Sequence, residues 1–265
     1  EQNLPEALQI MVEAERRAYA DRAEYMGDPD FITDKTEMLI SDKYLKDRWK
    51  NFSFEKATPS AEVGKIVNQP KESEQTTHLS IIDKYGNAVS VTTTLNGLYG
   101  SKVVVKGGGY FLNNEMDDFS VKPGVPNMYG AVGGEANSIA PNKRMLSSMT
   151  PTIVLKNGKP FIIVGTPGGT TIPTSVYQSI VNAIDFKLSP NFVINAPKFH
   201  HQWLPEVVFV EKNFPKSTLK ALEQKNYKFE KRGGIGRTEM IIIDEKGNAA
   251  AVADGRGDDS VAVEN

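Results

Sequence analysis

A chain of 265 residues that is 39% hydrophobic can bury a sizeable core, and its composition marks neither disorder nor a fibre. A formal net charge of −2 without a basic stripe excludes nucleic acid as a partner. The absence of cysteine excludes disulfides, thiol catalysis and thiolate zinc sites, and no run reaches the ~18 apolar residues of a membrane span.

The sequence opens on Glu1-Gln2-Asn3 without Met or a leader, the start expected of a piece of a longer precursor. Asn3, Pro5 and Glu6 predict a capped helix whose apolar stripe is Leu8, Met11, Val12, Ala18 and Tyr19. Glu13, Glu15, Arg16, Arg17 and Arg22 are expected on its solvated face. The helix should end near Gly27-Asp28-Pro29, and Ser41 should cap a second, shorter helix carrying Tyr44, Leu45 and Trp49. Residues 54–75 are rich in Lys, Glu and Ser without a period, and read as a linker or mobile loop.

At Thr76 the pattern switches to strand. Thr76–Asp83 and Val89–Asn96 predict a hairpin around Tyr85-Gly86-Asn87. Its hydroxyl-rich strands suit either an ordinary sheet or a buried nucleophile with a hydroxyl partner. Lys106–Tyr110 is a glycine bend, without the Lys-Ser/Thr pair of a phosphate loop. Thr152–Leu155 and Phe161–Val164, joined by Asn157-Gly158, predict a second hairpin, and Thr171–Phe186 a helix. Val207–Val210 reads as strand and Ser217–Asn226 as helix with Leu219 and Leu222 inward. Met240–Ile243 and Ala249–Val252 read as a third hairpin. Hairpins interleaved with helices predict an α+β fold.

A threonine hydroxyl needs a base. The histidines are His78, His200 and His201, and no Ser/His/Asp pattern accompanies them. Adjacent side chains on a regular element diverge, so His200-His201 reads as packing before metal binding. Cutting the Gln75–Thr76 bond would give Thr76 a free α-amine with an intrinsic pKa of about 7.7–8.0, so that one residue supplies nucleophile and base. Other polar clusters are open to two readings. Asn96-Gly97 suits a turn. Glu115, Asp117 and Asp118 suit a solvated loop or a calcium cluster, though EF-hand spacing is lacking. Pro167-Gly168-Gly169 suits a loop or a helix N-terminal anion site, and Ser147-Ser148 a helix cap.

Taken in order, Thr76-Thr77-His78, Leu112–Phe119, Lys122–Gly130, Asn142–Ile153 and Gly165–Gly169 resemble the small subunit of γ-glutamyltranspeptidase, an N-terminal-nucleophile hydrolase. Ala18–Arg22 and Gly27-Asp28-Pro29 resemble the end of that family's large subunit. The resemblance implies a four-layer αββα sandwich, incomplete here. It divides the chain into a large-subunit-like 1–75 and a small-subunit-like catalytic segment 76–265, parts of one domain. It implies self-cleavage at Gln75-Thr76, with Thr76 as nucleophile, Thr94 as hydrogen-bond partner of its hydroxyl, and Gly168 and Gly169 as the oxyanion pair. Asn96, Glu115 and Asp118 would hold the substrate α-ammonium, and Ser147 and Ser148 its α-carboxylate. Tyr129 would serve as a lid.

The implied activity is γ-glutamyl transfer or hydrolysis, acting on glutathione and related compounds through a γ-glutamyl-Thr76 ester, with amino acids, peptides or water as acceptors. No cofactor or metal is implied. The alternatives are a related acylase for a β-lactam side chain or poly-γ-glutamate, or a non-catalytic, uncleaved fragment. The family's carboxylate-gripping arginine belongs to the early large subunit, outside this sequence, and Arg144 lies in a different motif. The missing large-subunit portion is therefore an expected partner, and a periplasmic or extracellular location is expected from the family.

Overall fold

The computed structural model describes residues 4–64, 76–128 and 130–263. In chain order the helices are α1 (Pro5–Tyr25), α2 (Thr36–Leu39), α3 (Asp42–Arg48), α4 (Thr171–Ile184), α5 (Pro190–Asn195) and α6 (Lys216–Glu223). The strands are β1 (Thr77–Ile82), β2 (Ala88–Thr93), β3 (Thr152–Lys156), β4 (Lys159–Gly165), β5 (Phe199–His200), β6 (Val208–Glu211), β7 (Phe229–Arg232), β8 (Glu239–Ile243) and β9 (Ala249–Val252). All three expected hairpins form. Two of their turns are closed by an aspartate that precedes the expected turn residues: Asp83 Oδ1 accepts the N–H groups of Tyr85 and Asn87, and Asp244 Oδ1 does the same for Lys246 and Asn248. Asn157 and Gly158 take φ of 54° and 76°, as a two-residue hairpin turn requires. Sequence reading missed α2, α5, β5 and β7, all short elements without a period of their own.

β1 and β2 form one sheet, with Thr77 opposite Thr93 and Ile82 opposite Ala88. They stack on a four-stranded antiparallel sheet of order β3-β4-β8-β9, whose other face is covered by α4 and α5. The strand pattern of the first sheet is inverted relative to an ordinary sandwich. His78, Ser80, Ser90 and Thr92 face the second sheet, while Leu79, Ile81, Val89 and Val91 stay about half exposed on the outer face. The α+β class is as expected. Of the four expected layers, the described residues build three, in the order β, β, α.

A third sheet, β5-β6-β7, packs with α1 and α6 around Leu8, Met11, Val12, Phe199, Val210, Leu219, Leu222 and Tyr227. Here the sequence expectation needs correction. Arg16 and Arg17 are buried, not solvated. Arg17 Nη1 pairs with Glu13 Oε2 at 2.5 Å, Arg16 Nη1 donates to Ser60 Oγ at 2.7 Å, and the Tyr227 hydroxyl donates to Glu13 Oε1 at 2.8 Å. Burial pushes the Glu13 carboxyl up, but Arg16 and the hydrogen bonds from Arg17, Thr58 and Tyr227 outweigh it and hold the group below its ordinary value. A charge count along one helix is blind to such a network, because the partners come from residues 58–60 and 227. The same contacts overturn the mobile-linker expectation for 54–64. Thr58, Ser60 and Val63 are buried there, and Trp203 Nε1 donates to Ser60 O at 2.9 Å. Residues 65–75, like the expected cap Asn3, lie outside the described residues.

The two stacked sheets approach closely at Gly165, the last residue of β4. A Cβ there would lie 2.1 Å from Cε1 of the His78 ring. That ring cannot swing away freely: Nδ1 is 2.7 Å from Thr92 Oγ1 and Nε2 is 3.0 Å from Ser80 Oγ. Gly165→Ala should therefore separate the sheets locally and destabilise the protein by ~1–3 kcal/mol, the usual cost of overpacking. Urea unfolding of the two proteins measures this, and equal midpoints would show that the ring has room to move.

Candidate active site

The stacking brings four chain ends to one edge of the sandwich: the start of β1, the exit of β2, the approach to β3 and the exit of β4. Each carries one group of candidate residues. Thr76 immediately precedes β1, and continuing the register places it opposite Thr94, just past β2. Its hydroxyl donates to Thr94 Oγ1 at 3.3 Å, and the same Thr94 oxygen accepts the Asn96 N–H at 2.9 Å. Thr94 is thus held from the backbone side while it holds Thr76.

Asn96 takes φ of 69°, a left-handed conformation that Asn tolerates, and is buried. Its Nδ2 donates to Asn114 O at 3.1 Å, and the Gly97 N–H donates to Asn114 Oδ1 at 2.8 Å. These bonds dock the exit of β2 onto the 3-10 turn Glu115–Asp118. The Asn96-Gly97 turn reading thus holds, and the turn brings the Asn96 side chain onto the residue that precedes the acidic segment. Asp118 is half-buried, and burial pushes its carboxyl up to about 6, with Arg22 pulling down and Glu115 and Asp117 adding to the rise. Burial also raises Glu115. Asp117 does different work, its Oδ2 accepting the Met128 N–H at 3.0 Å and so bracing the loop that follows.

Ser147 and Ser148 lie on the approach to β3 and separate in role. Ser147 is exposed, and its Oγ accepts the Met149 N–H at 3.0 Å. Ser148 is half-buried, and its Oγ accepts from Arg22 Nη2 at 3.0 Å. Neither caps a helix. Arg144 is committed elsewhere, with Nη2 2.6 Å from Asp28 Oδ1 and its backbone N–H on Asp28 Oδ2. Those bonds hold the Asp28 carboxyl well below the usual carboxylate range, so Arg144 is an anchor for the Gly27–Asp30 bend.

Gly168 and Gly169 form the bend between β4 and α4, with φ of 136° and 56°. Their carbonyls accept the N–H groups of Thr171 and Ile172, and Thr171 Oγ1 also donates to Gly168 O at 2.8 Å. Among the described residues their own N–H groups meet no acceptor, which is the state of a pair available to a developing oxyanion. Tyr129, the expected lid, and Gln75, on the acyl side of the expected cleavage, lie outside the described residues.

The histidines are buried and held by neighbouring polar groups. His78 has both ring nitrogens engaged, and burial holds its pKa down at about 4. His200 is buried between Thr174 Oγ1 and Gln202 Oε1, each at 2.8 Å from a ring nitrogen. His201 Nδ1 sits 2.9 Å from Val207 O, and burial pushes it well below the usual imidazole value. Both are packing residues, as their adjacency suggested.

Three residues of the arrangement escaped sequence reading. Asn114 bonds to the exit of β2. Asn137 ties Asp118 O (2.7 Å, from Nδ2) to Leu146 N–H (3.0 Å, on Oδ1). Arg22 belongs to the Ala18–Arg22 motif, yet was assigned to a solvated face. Asn114 and Arg22 carry a sequence signal that could have found them, since each lies in a stretch that bears the resemblance, Leu112–Phe119 and Ala18–Arg22.

Residues 1–264 match the family described as gamma-glutamyltranspeptidase. The glutathione hydrolase proenzyme of Escherichia coli is 50% identical over 258 residues, 97% of this chain and 44% of the relative. That of Pseudomonas aeruginosa is 44% identical, over 97% of this chain and 46% of the relative. The chain thus spans less than half the length of these relatives. Among solved structures, a Helicobacter pylori gamma-glutamyltranspeptidase mutant superposes with a TM-score of 0.66 at 48% identity, covering 68% of this chain and 100% of its own. A cephalosporin acylase from Bacillus halodurans gives 0.84 at 28% identity, covering 100% of this chain and 46% of its own. With the family match running almost end to end and the hydroxyl pair, acidic turn and glycine bend on one edge of the fold, this chain belongs to the gamma-glutamyltranspeptidase family.

Proposed function

We propose that this chain carries the catalytic half of a γ-glutamyl transferase/hydrolase. It cleaves the γ-glutamyl amide of glutathione and related compounds through an ester on Thr76, and passes the acyl group to an amino acid, a peptide or water. The observation that carries this is the Thr76–Thr94 hydroxyl pair at 3.3 Å, at the same edge as two glycine N–H groups that meet no acceptor among the described residues. In the acylation step the Thr76 α-amine takes the hydroxyl proton as Oγ1 attacks the γ-carbonyl. The oxygen charge falls on the Gly168 and Gly169 amides, and the amine returns the proton to the departing nitrogen. Water or an acceptor amine then reverses the sequence.

The α-amine exists only once the Gln75–Thr76 bond is cut, so self-cleavage is part of the proposal. Complete chains of solved gamma-glutamyltranspeptidases cover 68% to 71% of this chain, a share close to that of residues 76–265, which supports a division into 1–75 and 76–265. N-terminal sequencing of the smaller product from the intact protein should read Thr-Thr-His-Leu. A different first residue, or a single uncleaved band in active material, would remove Thr76 from the role of nucleophile.

The cephalosporin acylase likeness favours a second reading, in which the acyl group differs. Asn96, Glu115 and Asp118 weigh against it, because two carboxylates and an amide suit a substrate with a free α-ammonium. Asp118→Asn should accordingly raise KM for γ-glutamyl substrates about 10-fold or more, since a charge-assisted bond contributes ~1.5–3 kcal/mol. Steady-state kinetics decide it, and a kcat/KM within about twofold of the parent would mean that Asp118 does not meet the ammonium.

A further inference from the structure

Arg22 occupies a place that the proposed chemistry has not used. It sits in the last turn of α1, half-buried, where a cation also complements the helix dipole. Its Nη2 donates to Ser148 Oγ at 3.0 Å, and its charge acts on Asp118 through space. These two residues are the proposed contacts for opposite poles of the substrate's amino-acid head group. We propose that Arg22 is a positioning residue for both poles: it sets the donor direction of Ser148 and supplies positive charge at the helix end that the Glu135–Asn137 turn ties to Asp118. The inference rests on the γ-glutamyl reading of the site.

A serine oxygen has one proton to give. Because Ser148 Oγ accepts from Arg22, its own proton must point away from the guanidinium, and among the described residues it meets no acceptor. A carboxylate arriving on that side would be met by a donor already aimed. At Asp118 the link to Arg22 is electrostatic. The carboxyl is disfavoured as an anion by burial and by its neighbours Glu115 and Asp117 on the same turn, while Arg22 from α1 opposes them. Burial lowers the pKa of Arg22 itself, with Tyr19 and Asp118 acting the other way. An aspartate that must be charged to hold an ammonium therefore owes that state in part to Arg22.

Backbone contacts keep Arg22 in register with both partners. The Gly134 N–H donates to Ala23 O at 2.8 Å, and a Cβ on Gly27 would lie 2.2 Å from Ala136 O. The end of α1 is thus clamped to the 3-10 turn Glu135–Asn137, and Asn137 is the residue that bonds both Asp118 O and Leu146 N–H. One hub fixes the helix end, the acidic turn and the serine segment together.

The test compares the intact protein with Arg22→Gln, Arg22→Lys, Ser148→Ala and Arg22→Gln/Ser148→Ala, using a γ-glutamyl anilide and thermal melting as a check on folding. Arg22→Gln should raise KM at least tenfold with kcat within about threefold. It should also move the acidic limb of kcat/KM to higher pH, because Asp118 then takes up its proton more readily. The double variant should bind no worse than about threefold beyond the poorer single, as expected of residues that act through one another. Arg22→Lys should leave the limb in place, since the charge remains, while still raising KM. An unchanged KM and limb in Arg22→Gln, a pure loss of kcat, or full additivity in the double variant would each overturn the proposal. If Arg22→Gln does not fold, Arg22→Lys decides: a limb displaced despite the retained charge refutes the electrostatic role. The functional reading is separable from this. An inactive parent protein refutes the γ-glutamyl reading, while the Asp118 carboxyl titration followed by carbon NMR still reports whether Arg22→Gln raises its pKa. An unmoved titration refutes the inference itself.

Discussion

Thr76→Ala is expected to abolish both self-cleavage and turnover of γ-glutamyl substrates, because it removes the oxygen that forms the ester. Thr76→Ser keeps a hydroxyl and, after cleavage, an α-amine, and should retain measurable activity. Thr94→Ala should be milder than Thr76→Ala. It removes one partner of the Thr76 hydroxyl, a bond that contributes ~0.5–1.5 kcal/mol, so turnover should fall about three- to tenfold. The structure adds a reason for a further effect on maturation. Thr94 Oγ1 also accepts the Asn96 N–H, so losing it loosens the exit of β2 next to Thr76. Cleavage half-times and kcat values for the three variants, measured side by side, check the whole scheme. A fully active Thr76→Ala, or an inactive Thr76→Ser beside a healthy Thr94→Ala, would overturn it.

Gly168→Ala should be the most damaging single-methyl change at the site. The φ of 136° at this residue is one that a side chain rarely adopts, and the added Cβ would lie 2.4 Å from Thr171 Oγ1. Thr171 cannot yield cheaply, since it is buried at the start of α4 and its hydroxyl is bonded to Gly168 O. Relief would come from rotating the glycine peptide, which carries the N–H groups off their aim. Misplacing one oxyanion donor costs about 10²–10³ in kcat. The expected result is a loss of that size in kcat with KM changed little, in protein that still melts cooperatively. A kcat within threefold of the parent would mean that the oxyanion is stabilised by other groups.

Much of this was legible in the residues because the determining interactions are local. Asp83 and Asp244 fold their own turns, Asn157-Gly158 sets its own φ values, and Ser41 caps α3 by accepting the Tyr44 N–H. The same locality explains the success with the three hairpins. Missed elements were those whose existence depends on a neighbour: β5 and β7 are short strands given meaning only by pairing with β6.

What the sequence by itself determined is the α+β class, the hairpins and the ordered set of candidate residues, since turn chemistry, strand alternation and motif order lie along the chain. Only the tertiary structure decided which of those residues work together. It separated Ser148, held by Arg22, from the exposed Ser147, and Asp118 from Asp117, which braces the following loop. It buried Arg16 and Arg17 beside Glu13 where helical periodicity had expected solvent. It also joined Arg22 to Ser148, nearly half the chain away. The physical reason is the same in each case. A polar side chain's role is set by the partners that desolvate, bond or face it, and those partners arrive from distant segments when the sheets stack and α1 packs against α6 and the Glu135–Asn137 turn.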